Sequence, residues 1–297
     1  MRRIRTVAVF PTMFTLGNLV CGFFSIVVAA RVEPPPSIEE SMQAPRSNQL
    51  PLRHPIRAIR DLDPENDTHN VMLSAWLIFL AMIFDALDGH LARLSRTTSD
   101  FGGQLDSLCD VVTFGVAPAF LLVKMCPQFS YLHRDAIWLI AATYAACAAL
   151  RLARFNVETG QEDDHLHFTG LPSPAAAGAI AGFAILFYEL RREDSLLEYA
   201  AISAEIERWV QRLLPFFGLL LGMLMVSRIP YPHIVNQVFR GQRSFGHVVG
   251  LLFALVAIMV VRGFSVPIIG CAFVLASPIK YVFMRILQRR EHQEPAF

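Results

Sequence analysis

The sequence predicts an all-α integral membrane protein, folded as a bundle of about eight transmembrane helices. Of its 297 residues, 54% are hydrophobic and only 17% are charged, whereas a soluble domain carries about 25% charged residues. The mean hydropathy is +0.43, and apolar runs of about 20 residues, the length that crosses the hydrocarbon core of a bilayer, recur along the chain. Together these observations place the chain in a lipid bilayer.

Charge and cysteine content exclude other classes of protein. Lys and Arg total 26 against 25 for Asp and Glu, which gives a net charge of +1, so the chain has no basic surface for nucleic acid. The five cysteines fall in or beside apolar runs and form no C-x-x-C pair. Neither a disulfide framework nor a zinc site is indicated.

The predicted spans follow one another with short loops, except after the first. That span covers about residues 7–30 and has no clear small-residue cleavage site, so we interpret it as a retained helix. Residues 31–70 are polar and rich in proline, and they predict a partly disordered loop outside the membrane. Seven further apolar segments follow at about 71–92, 104–125, 136–155, 171–188, 209–227, 246–262 and 265–287.

The charged residues of the loops do not decide the orientation of this bundle. With both termini in the cytoplasm, 13 Lys and Arg residues lie on the cytoplasmic side, 12 lie on the other side, and Lys280 lies inside the last span. The excess of positive charge that marks cytoplasmic loops is therefore missing. The orientation has to follow from the chemistry of the site.

Four aspartates lie at the neighbouring ends of two predicted helices. Asp85 and Asp88 are three residues apart near the end of one apolar run, and Asp106 and Asp110 are four residues apart before the next. Either spacing places a pair on one helix face. Because the connection is short and rich in Ser, Thr and Gly, the two helices should be antiparallel neighbours. We expect the two pairs to meet at one end of the bundle.

Carboxylates gathered in this way need a counter-charge. They repel one another, and even a single acid at the centre of a membrane helix costs about 2.5–3.5 kcal/mol. Carboxylate oxygens suit Mg²⁺ or Mn²⁺, and two such cations are the arrangement that clamps the attacking and leaving oxygens in phosphoryl transfer. The sequence therefore predicts a site for two divalent cations. Any single aspartate could instead be a solvated helix end.

Small and basic residues accompany the aspartates. Gly89, Ala92 and Gly102 would let a nucleotide approach the helix backbone closely. Arg93 offers a guanidinium fork that suits phosphate. Small residues also serve ordinary helix packing in membranes, so that explanation stays open for each of them.

The sequence from Asp85 to Asp110 resembles the signature of the CDP-alcohol phosphotransferase family at every specified position. It reads D-x2-D-G-x2-A-R-x8-G-x3-D-x3-D. That family consists of integral membrane enzymes that displace CMP from a CDP-linked lipid or alcohol by a second hydroxyl. The resemblance implies that Asp85, Asp88 and Asp106 are ligands of a dinuclear metal site, and that Asp110 is a further ligand and the general base. It also implies that the cytidine nucleotide is held by Gly89, Ala92, Arg93 and Gly102.

Other stretches are similar to one branch of this family, the membrane-embedded bacterial phosphatidylserine synthases. These stretches are F-T-L-G-N-L-V-C-G-F-F from Phe14, L-D-S-L-C-D-V-V-T-F-G-V-A-P-A from Leu105, R-L-A-R-F-N from Arg151 and G-L-P-S-P-A-A-A from Gly170. The similarity covers about residues 6–190. It predicts a family core at 1–190, with 31–70 as a polar insertion, and C-terminal helices at 191–297 that complete the bundle.

An L-serine acceptor carries a carboxylate, which a guanidinium fork binds through two hydrogen bonds. Arg151 and Arg154 lie one turn apart at the end of an apolar span, and either one is a candidate for this contact. Anchoring at the membrane interface is the competing explanation. Asn156 and the turn at 170–174 could line the acceptor pocket or cap helices.

The resemblance implies transfer of the phosphatidyl group from CDP-diacylglycerol to the hydroxyl of L-serine, which yields phosphatidylserine and CMP. Another family activity, such as phosphatidylglycerophosphate synthesis, would use the same metal site with a different acceptor, and an ion-coupled transporter is the remote alternative. Because cytidine nucleotides and serine are cytosolic, we expect the aspartates at the cytoplasmic end of the bundle, in a bacterial inner membrane. The sequence is compatible with a homodimer but does not indicate one.

Overall fold

The computed structural model describes residues 9–32, 64–95, 100–127, 129, 134–158, 168–191, 200–231 and 262–291. Most of these residues are helical, and one pair of two-residue strands joins two of the connections. The elements are α1 (Val9–Ala30), α2 (Pro64–Ser95), α3 (Asp100–Asp110), a π-helical segment (Val111–Val116), α4 (Ala117–Met125), α5 (Arg134–Glu158), β1 (Phe168–Thr169), α6 (Ser173–Arg191), α7 (Ala200–Val226), β2 (Pro230–Tyr231), a 3₁₀ turn (Arg262–Phe264) and α8 (Ser265–Glu291).

Seven stretches in this part of the chain are long and apolar enough to cross a membrane. They are α1, α2, the continuous stretch from α3 through the π-helical segment to α4, and α5 to α8. Large apolar side chains such as Trp76, Leu139 and Met223 are exposed on these helices, as expected for surfaces that face lipid. The predicted all-α integral membrane fold is confirmed. The eighth predicted span, at about 246–262, lies outside the described residues except for its last one.

Two helices begin earlier than the sequence predicts. Helix α2 begins at Pro64, inside the predicted loop, because proline fits the first helical position, where an N–H would have no helical partner. Helix α7 begins at Ala200 rather than near residue 209. Glu207, in the charged first part of α7, forms an ion pair with Arg191 at the end of α6. The rest of the predicted loop, residues 33–63, lies outside the described residues.

Helices α1 and α2 pack along each other in opposite directions. The rings of Phe14 and Phe84 lie 6.2 Å apart between their centres. Further along, the hydroxyl groups of Ser25 and Ser74 are 2.8 Å apart. The two helices are therefore antiparallel, and the start of α1 lies beside the end of α2.

The stretch from α3 to α4 runs parallel to α1. Near one end, the Asn18 amide donates a hydrogen bond to Asp110 over 2.9 Å. Beyond the other end of α1, the Lys124 ammonium donates to the carbonyl of Val32 over 2.7 Å. The start of α1, the end of α2 and the start of α3 therefore share one end of the bundle.

The predicted helix at 104–125 is interrupted by six π-helical residues, Val111–Val116, directly after Asp110. Pro118 has no N–H to donate to the carbonyl of Phe114, its partner in a regular α-helix. The buried Tyr144 hydroxyl of α5 donates to that carbonyl instead, over 3.2 Å. A proline and a cross-helix hydrogen bond thus accommodate the wider turn, which sequence periodicity does not reveal.

Helix α6 lies in the centre of the bundle, between α2 and α8. Its buried face consists largely of alanine, with Ala176, Ala177, Ala181 and Ala184 all fully buried. A Cβ atom at Gly182 would lie 3.1 Å from the backbone nitrogen of Pro267 at the start of α8. Small side chains therefore allow the close helix contacts that hold membrane bundles together.

In the described part of the chain, the connection into α6 forms a short strand pair with the connection that follows α7. Phe168 pairs with Tyr231 in an antiparallel register. Gly170 then adopts a φ of +90°, and a Cβ atom there would lie 2.4 Å from the carbonyl oxygen of Met225. Only glycine fits this turn without strain, and the turn fixes the start of α6 against the end of α7.

Candidate metal and nucleotide site

Three carboxylates meet where α2 ends and α3 begins. Asp85, Asp88 and Asp106 each offer an oxygen atom, and these oxygens lie within 4.8 Å of one another. Opposite ligands of one Mg²⁺ ion are separated by roughly 4 Å, so this spacing is close to that of a metal site. We refer to these three residues as the carboxylate cluster.

The hydrogen bonding of the carboxylate cluster is incomplete. Asp88 accepts hydrogen bonds from the Thr15 hydroxyl and from the backbone N–H of Gly89. Its Oδ2 atom and the Oδ1 atom of Asp106 are nevertheless buried and have no hydrogen-bond partner in the described part of the chain. Buried carboxylate oxygens without partners are costly. Hard oxygen donors of this kind fit a divalent cation, so the residues present fit the predicted metal.

Asp110 lies beside the carboxylate cluster but does not belong to it. It is 7% exposed, and its Oδ1 atom accepts the hydrogen bond from Asn18. It interacts electrostatically with Asp85 and Asp106 and also with Arg151. The structure therefore brings oxygen atoms of three of the four predicted aspartates within 4.8 Å of one another and places the fourth within electrostatic reach of them and of the Arg151 guanidinium.

Helix α1 contributes two polar residues that the sequence analysis did not select. Thr15 contacts Asp88, and Asn18 contacts Asp110. They are three residues apart, so they lie on one face of α1, and both are buried. The sequence does contain a clue to both residues, since an amide and a hydroxyl lie inside an apolar span. Polar side chains at membrane depth usually have a function or a partner.

The predicted nucleotide residues flank the carboxylate cluster. A Cβ atom at Gly89 would meet no atom of the described residues within 4 Å beyond its chain neighbours and its own helix backbone, so this part of the helix surface beside Asp88 is open. Gly102 is half-buried in the first turn of α3. Ala92 and Arg93 lie on the last turns of α2, and their side chains are outside the described part of the structure. Open backbone beside the acids is compatible with the close approach of a ligand.

The three predicted acceptor residues of α5 have different partners. Arg151 donates from Nη1 to the Ser173 hydroxyl over 2.9 Å, and its buried Nε atom has no hydrogen-bond partner among the described residues. Arg154 donates to the backbone carbonyl of Val226 over 3.3 Å. Asn156 donates to the Ser107 hydroxyl over 2.9 Å. Only Arg151 combines a free donor with proximity to Asp110.

The turn at 170–174 connects the start of α6 to the end of α7 through backbone hydrogen bonds. The N–H of Gly170 donates to Ile229, and that of Leu171 donates to Leu224. Ser173, the first residue of α6, carries the hydroxyl that holds Arg151. The turn therefore positions the partner of Arg151.

Fold and site together define an integral membrane protein with a cluster of carboxylates suited to divalent cations at one end of its helix bundle. A profile of the CDP-alcohol phosphatidyltransferase family matches residues 8–223. The chain belongs to this family, which is metal-dependent in general.

Several curated proteins are similar to the chain over about half of its length. It is 37% identical over 163 residues to the CDP-diacylglycerol–serine O-phosphatidyltransferase of Methanocaldococcus jannaschii. This match covers 55% of the present chain and 65% of that protein. It is 35% identical over 166 residues to the protein of the same name from Helicobacter pylori strain 26695, with 56% and 63% covered. An archaetidylserine synthase of Methanothermobacter thermautotrophicus is 36% identical over 160 residues, with 53% and 57% covered. The matches thus span less than two thirds of each relative.

Proposed function

We propose that the protein transfers the phosphatidyl group of CDP-diacylglycerol to the hydroxyl of L-serine, which yields phosphatidylserine and CMP. The observation that carries this proposal is the carboxylate cluster with Asp110 beside it, in a chain of the CDP-alcohol phosphatidyltransferase family. The choice of serine is supported by relatives that are named as serine or archaetidylserine enzymes.

Two divalent cations, Mg²⁺ or Mn²⁺, would be held by Asp85, Asp88 and Asp106, with Asp110 as a further ligand. The unpartnered oxygens of Asp88 and Asp106 support this assignment. When bound, such cations offset the charge of the pyrophosphate and of the departing CMP.

The protein's own residues would then hold the donor and move one proton. Asp110 accepts the proton of the serine hydroxyl, because it is a carboxylate next to both the carboxylate cluster and Arg151. The serine oxygen forms a bond to the β-phosphorus of CDP-diacylglycerol, and the bond from that phosphorus to the bridging oxygen breaks as CMP leaves. No covalent bond to the protein is required.

The nucleotide would lie against the open backbone near the carboxylate cluster. Gly89 leaves room on that surface, as far as the described residues show, and Gly102 and Ala92 are small residues on the neighbouring turns. Arg93 would supply a guanidinium fork for phosphate. These assignments follow from the family signature.

We assign the serine carboxylate to Arg151 rather than to Arg154. The buried Nε atom of Arg151 is available for a hydrogen bond, and Ser173 holds the rest of the guanidinium in place. A fork oriented in this way binds a carboxylate through two hydrogen bonds. Asn156 would support the pocket through its hydrogen bond to Ser107, one residue from Asp106.

The orientation of the bundle follows from the proposed substrates. Cytidine nucleotides and serine are cytosolic, so the end that carries the aspartates would face the cytoplasm, in a bacterial inner membrane. A homodimer stays a prediction, as does the division of the chain near residue 190.

The test is acceptor competition with purified protein in detergent. CMP release from CDP-diacylglycerol is measured with L-serine, glycerol 3-phosphate or inositol as the acceptor. We expect release with L-serine at least about tenfold faster than with the others, because only serine presents a carboxylate and an ammonium beside its hydroxyl. Faster release with glycerol 3-phosphate would assign the protein to phosphatidylglycerophosphate synthesis.

A further inference from the structure

The proposed base, Asp110, has one direct hydrogen-bond donor among the described side chains, and that donor comes from another helix. The Nδ2 atom of Asn18 lies 2.9 Å from Asp110 Oδ1, and the two residues are 92 positions apart in sequence. A carboxylate only accepts hydrogen bonds when it is ionised, so the NH₂ group of Asn18 has to face it. An amide that serves an ionised Asp110 therefore presents Nδ2 to it, and the Oδ1 atom of Asn18 is buried without a hydrogen-bond partner among the described residues.

Asn18 is itself held by the segment that carries Asp110. It is 0% exposed, and its backbone carbonyl accepts a hydrogen bond from the Thr113 hydroxyl over 3.2 Å. Thr113 lies three residues after Asp110, on the π-helical segment. One turn further along α1, a Cβ atom at Gly22 would lie 2.3 Å from the Thr113 hydroxyl oxygen. Helix α1 thus contacts the π-helical segment at two successive turns.

A neutral donor suits this position better than a charged one. A Lys or Arg side chain at position 18 would form an ion pair with Asp110 and weaken it as a proton acceptor. An amide binds one oxygen of the carboxylate without adding charge to a site that already holds four aspartates. Asn18 occupies one lone pair of Oδ1, and the other lone pairs of the carboxylate stay available for a cation and for the proton of the serine hydroxyl.

We propose that Asn18 is a positioning residue that fixes the carboxylate of Asp110 in the orientation for proton transfer. Its hydrogen bond holds Oδ1, and the contacts of Thr113 with Asn18 and Gly22 on α1 hold Asn18 in place. This proposal rests on the proposed function, because it assigns Asn18 to the reaction of the same site.

A double-mutant cycle tests the proposal in the full-length protein. Asn18→Ala, Asp110→Asn and the double variant are compared with the wild type in CMP release from CDP-diacylglycerol and L-serine. We expect Asn18→Ala to lower kcat by about 10- to 100-fold, the usual effect of losing an orienting partner, with the Michaelis constant for CDP-diacylglycerol changed less than about twofold. In the Asp110→Asn background the same substitution should change kcat by no more than about twofold, because Asn18 acts only through Asp110.

Ser25→Ala is the matched control. Ser25 is also buried on α1 and hydrogen-bonded to a neighbouring helix, at Ser74, but it lies about 10 Å further along the helix than Asn18. It should keep kcat within about twofold of the wild type. If Asn18→Ala does not yield folded protein, Asn18→Gln enters the same cycle, since it keeps the amide but moves its nitrogen away from Asp110.

The outcomes separate two failures. If the wild type releases CMP and the effects of Asn18→Ala and Asp110→Asn are simply multiplied in the double variant, Asn18 does not act through Asp110 and the positioning role is wrong. A fall in kcat for Ser25→Ala as large as for Asn18→Ala would also overturn it. If the wild type releases no CMP with any acceptor, the proposed function fails, and the positioning role fails with it.

Discussion

Arg151→Lys keeps a positive charge beside Asp110 but removes the guanidinium fork. In the structure, Nη1 of Arg151 donates to Ser173, and the buried Nε atom has no hydrogen-bond partner in the described part of the chain. A lysine has a single nitrogen at the end of a flexible chain. That nitrogen can form a well-oriented hydrogen bond to Ser173 or to the serine substrate, but not to both. The guanidinium group of arginine can bind both at once.

The expected magnitude follows from the loss of one hydrogen bond to a charged group. Such a bond contributes about 1.5–3 kcal/mol, and each 1.4 kcal/mol corresponds to a factor of about ten. The Michaelis constant for L-serine should therefore rise about 10- to 100-fold. The Michaelis constant for CDP-diacylglycerol should stay within about twofold, because Arg151 is proposed to bind L-serine and not the second substrate.

The assay is CMP release with each substrate varied while the other is saturating. Arg154→Lys is the matched control on the same helix. Its observed hydrogen bond goes to the backbone carbonyl of Val226, which a lysine can also reach, so we expect less than about a threefold change for either substrate. If Arg151→Lys changes both Michaelis constants alike in folded protein, or if neither variant changes the serine dependence, then the carboxylate is held elsewhere and Asn156 becomes the next candidate.

Three further predictions concern the site and its packing. Replacing any one residue of the carboxylate cluster by asparagine should lower activity at least ~10²-fold and weaken its dependence on added metal; unchanged turnover of the wild type in excess EDTA would rule this out. Asp110→Asn should still bind CDP-diacylglycerol, as measured by equilibrium binding, while turnover falls ~10²- to 10⁴-fold, and loss of binding with turnover per bound substrate intact would leave it as a ligand only. Gly22→Ala should destabilise the protein by about 1–3 kcal/mol, since its Cβ atom would collide with Thr113. Gly89→Ala has room for its Cβ atom, so it should raise the Michaelis constant for CDP-diacylglycerol without lowering the thermal midpoint in detergent.

The helical spans could be predicted because lipid imposes a simple rule on sequence. A membrane helix needs about 20 apolar residues, and seven of the predicted spans correspond to helices in the described part of the chain. The helix ends at Pro64 and Ala200 could not be predicted in the same way. They extend into charged residues outside the apolar core, where caps and ion pairs rather than hydropathy decide where a helix begins.

The placement of the aspartates was predictable in part. The spacing of Asp85, Asp88 and Asp106 and the short connection between their helices suffice to bring them together. The contacts of Asp110 were not predictable, because they depend on the register between α3 and α1. That register is set by side chains such as Asn18 and Thr113, which are 95 positions apart, and by a π-helical turn that leaves no periodic signal.

The most direct test of the account is the stoichiometry between CMP and serine-containing lipid. Purified protein is incubated with CDP-diacylglycerol and radiolabelled L-serine, and CMP and label in the lipid extract are measured in the same sample. We expect one serine in lipid for each CMP released, with both products abolished by EDTA and reduced at least ~10²-fold in Asp88→Asn. CMP released without label in lipid would show hydrolysis instead of transfer, and equal turnover in EDTA would contradict the role of the carboxylate cluster.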